Sequence, residues 1–169
     1  GKSTLANHLV SQFSASVLAP EFSDSPIGSY LRQAVQSNPH YISPSLIEQS
    51  LLFLAEFFRI YEVFVRPALR EGLLVISDRG YASKYVYQFL ILSSKHDPAT
   101  TEEMLDSLFR LISPPDYTLL LTCDEDVLIK RLLKRDGHCD DNRIRFMRQA
   151  NQRYQGFLAA RHMNFQRIH

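Results

Sequence analysis

Little charge of either sign is left over in this sequence: 19 Lys and Arg stand against 18 Asp and Glu, a formal net charge of +1 over 169 residues. That balance gives no electrostatic case for a nucleic-acid coat or a membrane surface. Cysteine is equally scarce. Cys123 and Cys139 are the only two, too few for a disulfide framework, so a reducing, cytoplasmic setting is expected. No stretch reads as a signal peptide. No uncharged apolar run is long enough for a bilayer either. The most apolar segment, 46–65, is interrupted by Glu48, Gln49, Glu56, Arg59 and Glu62, which suits a buried helix better than a membrane span. Internal repeats and low-complexity tracts are absent too. What is present is 45% hydrophobic residues, enough for one compact domain over 1–169 with a continuous core.

The pattern along the chain alternates helices with short apolar runs. Leu5, Leu9 and Phe13 recur at four and predict a helix over 3–13. The run 15–19 predicts a strand, and 20–26, rich in Ser, Asp and Pro, a loop. A short helix is expected over 27–36. Ser43, with Pro44 in the first turn, is expected to cap a long helix that Pro67 kinks or ends. Leu73–Ile76 is continuously apolar, as in a strand buried on both faces of a parallel sheet. Helices are expected over 82–93 and 101–112, a strand over 117–122, and helices over 125–135 and 143–161, the last with a possible break at Gly156. A final strand fits 163–168. Strands alternating with helices, and no hairpin signal, predict an α/β layered fold with a parallel sheet.

Two elements carry chemistry. Gly1-Lys2-Ser3-Thr4 matches the second half of the phosphate-loop pattern G-x-x-x-x-G-K-[ST]. In that pattern backbone N–H groups at a helix start hold phosphate oxygens. The lysine reaches the β- and γ-phosphates, and the hydroxyl serves Mg²⁺. By itself a tetrapeptide is also compatible with four small residues that merely open a helix. The motif begins in its middle, so its first half and a preceding strand are expected upstream of Gly1. The second element is Ser77-Asp78-Arg79-Gly80, just past the apolar run 73–76. Ligands of open α/β sheets bind outside the carboxyl ends of the strands. There Asp78 can hold Mg²⁺ or steer the attacking oxygen, and Arg79 can pair with an acceptor phosphate through its planar fork. A surface ion pair or a helix cap by Asp78 is the plainer alternative.

Further along, Lys130, Arg131, Lys134 and Arg135 form a basic turn before the polar loop 136–142, with Arg143, Arg145 and Arg148 beyond it. They read either as a lid that gathers positive charge over transferring phosphates or as a solvated helix end complementing the dipole. Arg135 and Arg143 flank the loop and are the stronger pair. His138 and Cys139 lack a second ligand pair at metal spacing and read as plain loop sequence. Cys123 reads as a core filler, and Phe57, Phe58, Tyr61 and Phe64 as core or dimer packing.

The ordered set of these pieces resembles the thymidylate kinase family over nearly the whole chain. Phe64-Val65-Arg66-Pro67-Ala68-Leu69-Arg70-Glu71-Gly72 followed by Val75-Ile76-Ser77-Asp78-Arg79 resembles that family's approach to its Asp-Arg motif. Leu51-Leu52-Phe53 with Ala55, Pro26-Ile27-Gly28 with Arg32, Ser83 with Tyr87-Gln88, and Pro115-Asp116-Tyr117-Thr118 resemble further family segments. The resemblance implies a P-loop NTPase three-layer fold with a parallel sheet of about five strands flanked by helices, the first strand missing or truncated here. It also implies an ATP and Mg²⁺ site at Gly1, Lys2, Ser3 and Thr4, a lid over the phosphates, and a homodimer through long helices. By the same resemblance Phe53 stacks on the acceptor base, Arg79 holds its phosphate, Tyr87 packs on sugar or base, and Ser83, Lys84 and Gln88 line the acceptor pocket. Arg131 and Arg135 border the nucleotide and the lid.

Several positions depart from the family. The family usually carries an Arg four residues after the stacking Phe; Phe57 stands there. Arg59 lies two residues on, roughly 200° around a helix of 3.6 residues per turn, and does not replace it. Gly80 stands where Tyr is usual, and Lys84 where Asn or Ser is common near the base. Glu21-Phe22-Ser23-Asp24-Ser25 replaces an acidic-arginine stretch. The expected activity is phosphorylation of a nucleoside monophosphate, dTMP or a related nucleotide, with ATP. The alternatives are a degenerate nucleotide-binding protein and a P-loop kinase for another small molecule or a deoxynucleoside.

Overall fold

The structure is a computed structural model that describes residues 1–37, 43–136 and 141–169, without the side chains of Ser37, Arg135 and Asp136. The lid expected over 136–142, with His138 and Cys139, therefore falls mostly outside the described residues. The chain divides into two compact units, Gly1–Ser113 and Pro114–His169.

In the first unit α1 (Lys2–Gln12) leads to β1 (Ser16–Ala19), then α2 (Pro26–Ser37) and α3 (Leu46–Ile60). A π-helical turn (Tyr61–Val65), α4 (Arg66–Arg70), β2 (Leu74–Ser77), α5 (Tyr81–Ser93) and α6 (Pro98–Phe109) follow. β1 and β2 pair in parallel with Val17 opposite Val75 and Leu18 opposite Ile76, β-branched and large apolar residues that fit a pleated surface. A parallel pair requires a crossover, and the helices between β1 and β2 supply it.

The cap of α3 is not Ser43. Ser45 takes it, its Oγ accepting the Glu48 N–H at 3.2 Å. Ser43 Oγ instead accepts the Ser45 N–H and donates to Glu48 Oε2 at 2.5 Å, so both serines fix the entry. Pro67 kinks the long helix without ending it. Its ring would strike the carbonyl four residues back, and the chain yields by widening to one π turn, in which the Arg66 N–H bonds the Tyr61 carbonyl. Gly72, at φ 77°, then closes α4 with its N–H on the Leu69 carbonyl, a left-handed stop that glycine adopts without penalty. α6 starts three residues earlier than the periodicity predicts because Asp97 caps it at the Thr100 N–H.

The core of this unit lies among α3, α5 and α6. Phe109 is its hub, with Tyr81 and Tyr85 edge-on at 4.9 and 5.1 Å and Phe57 stacked at 5.7 Å. The wholly buried Tyr85 satisfies its hydroxyl on Asp106 Oδ1 at 2.5 Å, as a buried phenol must. β2 departs from expectation: Leu74 is 46% exposed, because among the described residues β2 pairs on one side alone.

The second unit pairs β3 (Thr118–Leu121) in parallel with β4 (Phe165–Ile168), joined by α7 (Glu125–Asp136) and α8 (Asp141–Ala160). α8 runs through Gly156 unbroken; the cost of an internal glycine, roughly 1 kcal/mol, is too small to stop a helix anchored by the buried Phe157 and Leu158. Arg148 forks onto both oxygens of Glu125 at 2.6 and 2.5 Å, tying α8 to α7. The four described strands thus form two parallel pairs with helical crossovers, as the α/β reading expects.

Candidate active site

α1 begins at Gly1, whose carbonyl accepts the Leu5 N–H at 2.9 Å. Its first turn carries Lys2, Ser3 and Thr4, all exposed, and helix packing against β1 and β2 sets this turn beside the end of β2. There Ser3 Oγ donates to Asp78 Oδ2 at 2.5 Å. Two motifs 75 positions apart in sequence are thereby joined. The second carboxylate oxygen, Asp78 Oδ1, is buried and has no hydrogen-bond partner. An unpaired buried carboxylate oxygen is expensive. A hydroxyl and a carboxylate are hard oxygen donors, and the free Oδ1 fits a Mg²⁺ ion.

Arg79 follows at φ 68°, a left-handed conformation that L-residues other than glycine seldom take. Its Nε lies 3.7 Å from Glu21 Oε1, and its guanidinium 5.6 Å from the centre of the Tyr87 ring. Both approaches hold the planar fork beside the strand end, the geometry suited to a phosphate.

α5 brings Ser83, Lys84, Tyr87 and Gln88 into the same region. Ser83 is half-buried in the first turn. Lys84 is 7% exposed, and its Nζ stands 5.1 Å from the Phe22 ring centre and 5.6 Å from that of Phe53. Burial pushes its pKa below the ordinary lysine value; Glu21 opposes that, Arg79 adds to it and Glu56 opposes it. Gln88 is buried with Oε1 unpartnered. Of the sequence-predicted residues, Lys84 thus meets Phe53, Arg79 meets Tyr87, and Ser3 and Asp78 share a hydrogen bond. Phe57 turns to the core, stacked on Phe109.

Sequence reasoning missed Glu56. Its side chain is 1% exposed, yet it appeared there only as one of the charges interrupting an apolar helix. Oε1 accepts the Ser23 N–H at 2.5 Å and Oε2 the Ser25 hydroxyl at 3.0 Å. Gly28 lies so close that an added Cβ would stand 2.6 Å from Glu56 Oε1. Arg32 completes the clamp with Nη2 donating to the Phe22 carbonyl at 2.9 Å. The loop 20–25, which carries Glu21 and Phe22, is therefore fixed from beneath. A glutamate about every two turns in an apolar helix (Glu48, Glu56, Glu62) was the available signal, but it does not say which one points inward.

Arg131, Arg135 and Arg143 belong to the second unit. Arg131 is exposed on α7, Arg143 is buried in the first turn of α8, and the Arg135 side chain lies outside the described residues. No group of three or more His, Cys, Asp or Glu placed to hold a metal exists among the described residues. Nor, among them, is any helix long and apolar enough to cross a membrane.

A serine at the first turn of a helix, bonded to the aspartate of an Asp-Arg pair at the end of a parallel strand, defines the class of the P-loop phosphotransferases. The sequence model of one family, thymidylate kinase, matches residues 1–169. A probable thymidylate kinase of Methanosarcina acetivorans is 30% identical over 165 residues, covering 94% of this chain and 77% of that protein. A thymidylate kinase of Chlorobium chlorochromatii is 31% identical over 144 residues, 81% of this chain and 61% of its own length. The crystal structure of thymidylate kinase from Ehrlichia chaffeensis superposes with a TM-score of 0.65 at 17% identity, covering 99% of this chain and 80% of that one, which establishes the fold. The chain belongs to the thymidylate kinase family, and so to the enzymes called nucleoside monophosphate kinases. Kinases of this family generally use ATP with Mg²⁺.

Proposed function

We propose that the protein transfers the γ-phosphoryl group of ATP to the phosphate of a nucleoside monophosphate, dTMP or a related nucleotide. The observation that carries this reading is the Ser3–Asp78 hydrogen bond with Asp78 Oδ1 left unpaired beside it. It unites the phosphate-loop end and the Asp-Arg element in one anion- and cation-binding corner.

In the reaction an oxygen of the acceptor phosphate attacks the γ-phosphorus. The bond to the bridging oxygen breaks, and its electron pair leaves with ADP. The transition state spreads charge over the phosphoryl oxygens, so the protein's work is positioning and neutralisation. N–H groups at the start of α1 donate to phosphate oxygens, and Lys2 sets its charge against the β- and γ-phosphates. Ser3 and Asp78 would hold Mg²⁺, which would supply charge neutralisation there. Arg79 grips the acceptor phosphate, and Phe53 with Tyr87 shapes the acceptor pocket. In the second unit Arg131 and Arg135 carry lid charge by resemblance, and Arg143 by its place just beyond the polar loop in sequence. The near-neutral charge, the paucity of cysteine and the nucleotide substrates support a cytoplasmic setting without nucleic-acid or membrane partners. Ile47 and Leu51, exposed one turn apart on α3, support a homodimer through that helix.

An ADP-release assay tests the reading. Acceptor-dependent ADP formation is expected from the intact protein. Arg79→Ala should lower kcat/KM by about 100-fold or more, the scale of losing one transition-state donor, with an unchanged melting temperature. Turnover indifferent to Arg79→Ala would refute it. A second reading, nucleotide binding without turnover, is favoured by one observation: Phe57, standing where the family usually has Arg, is committed to the core. Tight ATP binding with no acceptor-dependent ADP would select it.

A further inference from the structure

The loop between β1 and α2 is tied down from beneath. Glu56 accepts the Ser23 N–H and the Ser25 hydroxyl, and Ser25 Oγ in turn accepts the Gly28 N–H at 2.9 Å. Arg32 Nη2 donates to the Phe22 and Ser23 carbonyls at 2.9 and 3.2 Å. Glu21 is the residue before the first of these anchors. A charged side chain is thus mounted on a fixed base at the edge of the candidate site.

Two cations stand against that charge. Arg79 Nε lies 3.7 Å from Glu21 Oε1, within ion-pair range but longer than a hydrogen bond. Such a contact attracts the guanidinium without committing the Nε–H to a hydrogen bond. The other cation is the buried Lys84. Burial pushes its pKa down; among the charged groups Glu21 opposes this most strongly, Arg79 adds to it and Glu56 opposes it. Arg79 and Lys84 therefore repel one another, with Glu21 acting on both. The Tyr87 ring, 5.6 Å from the guanidinium, limits its tilt, but a flat aromatic face lets a cation slide and turn over it. The carboxylate at Nε supplies the missing direction.

A half-exposed ion pair adds little to stability. A carboxylate next to a phosphate subsite also repels the phosphate. Neither stability nor affinity thus explains a glutamate in this place, whereas orientation during transfer does. We propose that Glu21 is a positioning residue for phosphoryl transfer: from its clamped loop it sets the rotation of the Arg79 guanidinium, so that the fork meets the acceptor phosphate in the attacking geometry. This rests on the phosphotransferase reading and deepens it by linking the Glu56 clamp, through Glu21, to Arg79. Glu21 acts through Arg79 and needs no contact with substrate.

The test reads ADP formation from ATP and dTMP in the intact protein. The variants are Glu21→Gln, Glu21→Asp, Arg79→Ala and the double variant Glu21→Gln with Arg79→Ala. Glu21→Gln keeps the shape and removes the charge. Its kcat should fall roughly 3- to 30-fold, the scale of a reacting group slightly misplaced. Its KM for dTMP should hold or fall, because a repelling carboxylate has gone. In the Arg79→Ala background the same substitution should change kcat less than about twofold, since nothing is left to steer. Glu21→Asp, one methylene short but charged, should lose less than Glu21→Gln. The melting temperature of Glu21→Gln should move by less than about 4 °C. A kcat within threefold of wild type, a raised KM, an equal loss with and without Arg79, aspartate no better than glutamine, or a larger fall in melting temperature would each overturn the proposal. If the wild type forms no ADP in response to dTMP, the phosphotransferase reading fails by itself. Equilibrium binding of dTMP then decides on Glu21. A change in Kd of about threefold or more in Glu21→Gln that vanishes in the Arg79→Ala background supports it. A smaller change, the same change in both backgrounds, or no binding to the wild type rejects it.

Discussion

Replacing Glu56 by alanine should unfasten the loop that walls the acceptor pocket, and the size of the effect can be worked from its contacts. Two hydrogen bonds end on this carboxylate, from the Ser23 N–H at 2.5 Å and from the Ser25 hydroxyl at 3.0 Å. Hydrogen bonds to charged groups contribute roughly 1.5–3 kcal/mol each. The two are not equally exposed to loss. Ser25 Oγ also accepts the Gly28 N–H at 2.9 Å, and its hydroxyl can rotate toward water, so only part of its contribution disappears. The Ser23 N–H is fixed in direction and stays unsatisfied. Adding the void left by a side chain of 1% exposure gives a loss of about 3–4 kcal/mol for Glu56→Ala. For a chain of this length that is a fall in melting temperature of roughly 6–16 °C. Glu56→Gln keeps the shape and one carbonyl acceptor for Ser23, so it should cost under about 1 kcal/mol. Urea titration of both variants reads the difference, and the KM for the acceptor should rise in Glu56→Ala because Glu21 and Phe22 ride on the same loop. A loss below about 1 kcal/mol in Glu56→Ala, or glutamine as damaging as alanine, would refute the account.

Gly28→Ala attacks the same clamp from the other side. Its Cβ would press on the Ser23 carbonyl and stand 2.6 Å from Glu56 Oε1, so a loss of about 1–3 kcal/mol is expected, and a wild-type melting curve would contradict it. The pH dependence of stability tests the environment of Lys84. Burial lowers its folded pKa, Glu21 and Glu56 opposing and Arg79 assisting. Between that lowered value and the unfolded value near 10.4 the unfolded chain binds the extra proton. Wild-type stability should therefore rise with pH in that window, and the rise should be missing in Lys84→Met. Parallel curves for the two proteins would show that the ammonium is not desolvated.

Much of this was legible in the sequence, because the strongest signals are local. The apolar run before Asp78 gave β2 within a residue, and the ordered motifs gave the parallel α/β fold that the Ehrlichia chaffeensis structure shares. Convergence of Gly1–Thr4 with Asp78 followed from the rule that α/β sheets bind ligands at strand ends, and the Ser3–Asp78 bond meets it. What remained hidden depends on side-chain direction. Ser43 and Ser45 both suit a cap; only the Glu48 N–H tells which one takes it. Glu56 and Glu62 both interrupt the same apolar helix. One is buried beneath a loop and the other, inside the π turn, pairs on the surface with Arg66 at 2.7 Å; six residues set them about 120° apart around a helix, but the period does not say which of the two faces inward. Phe22 carried no motif at all, and its place against Phe53 and Lys84 is a tertiary contact.

Several departures from easy folding fall on residues of the candidate site, though not all do: His162 at φ 50° and the buried, unpartnered Ser50 Oγ are not among them. Arg79 takes φ 68° although Gly80, for which that conformation is free, is the next residue and itself sits at φ −86°. A shift of the turn by one position would relieve roughly 1 kcal/mol of strain, and it does not occur. Gly80 is held where it is by close approach instead: a Cβ there would lie 3.1 Å from Ser77 Oγ. The backbone thus spends conformational energy to swing the guanidinium toward Glu21 and Tyr87. Asp78 Oδ1 and Gln88 Oε1 go without partners, and Lys84 goes without a counter-ion. Each of these costs the chain stability, and each falls on a residue assigned to the proposed site: Asp78 toward the cation, Arg79 toward the acceptor phosphate, and Lys84 and Gln88 in the acceptor pocket. Strain and unpartnered polar atoms on residues that would meet a charged ligand are what a preorganised site costs the fold.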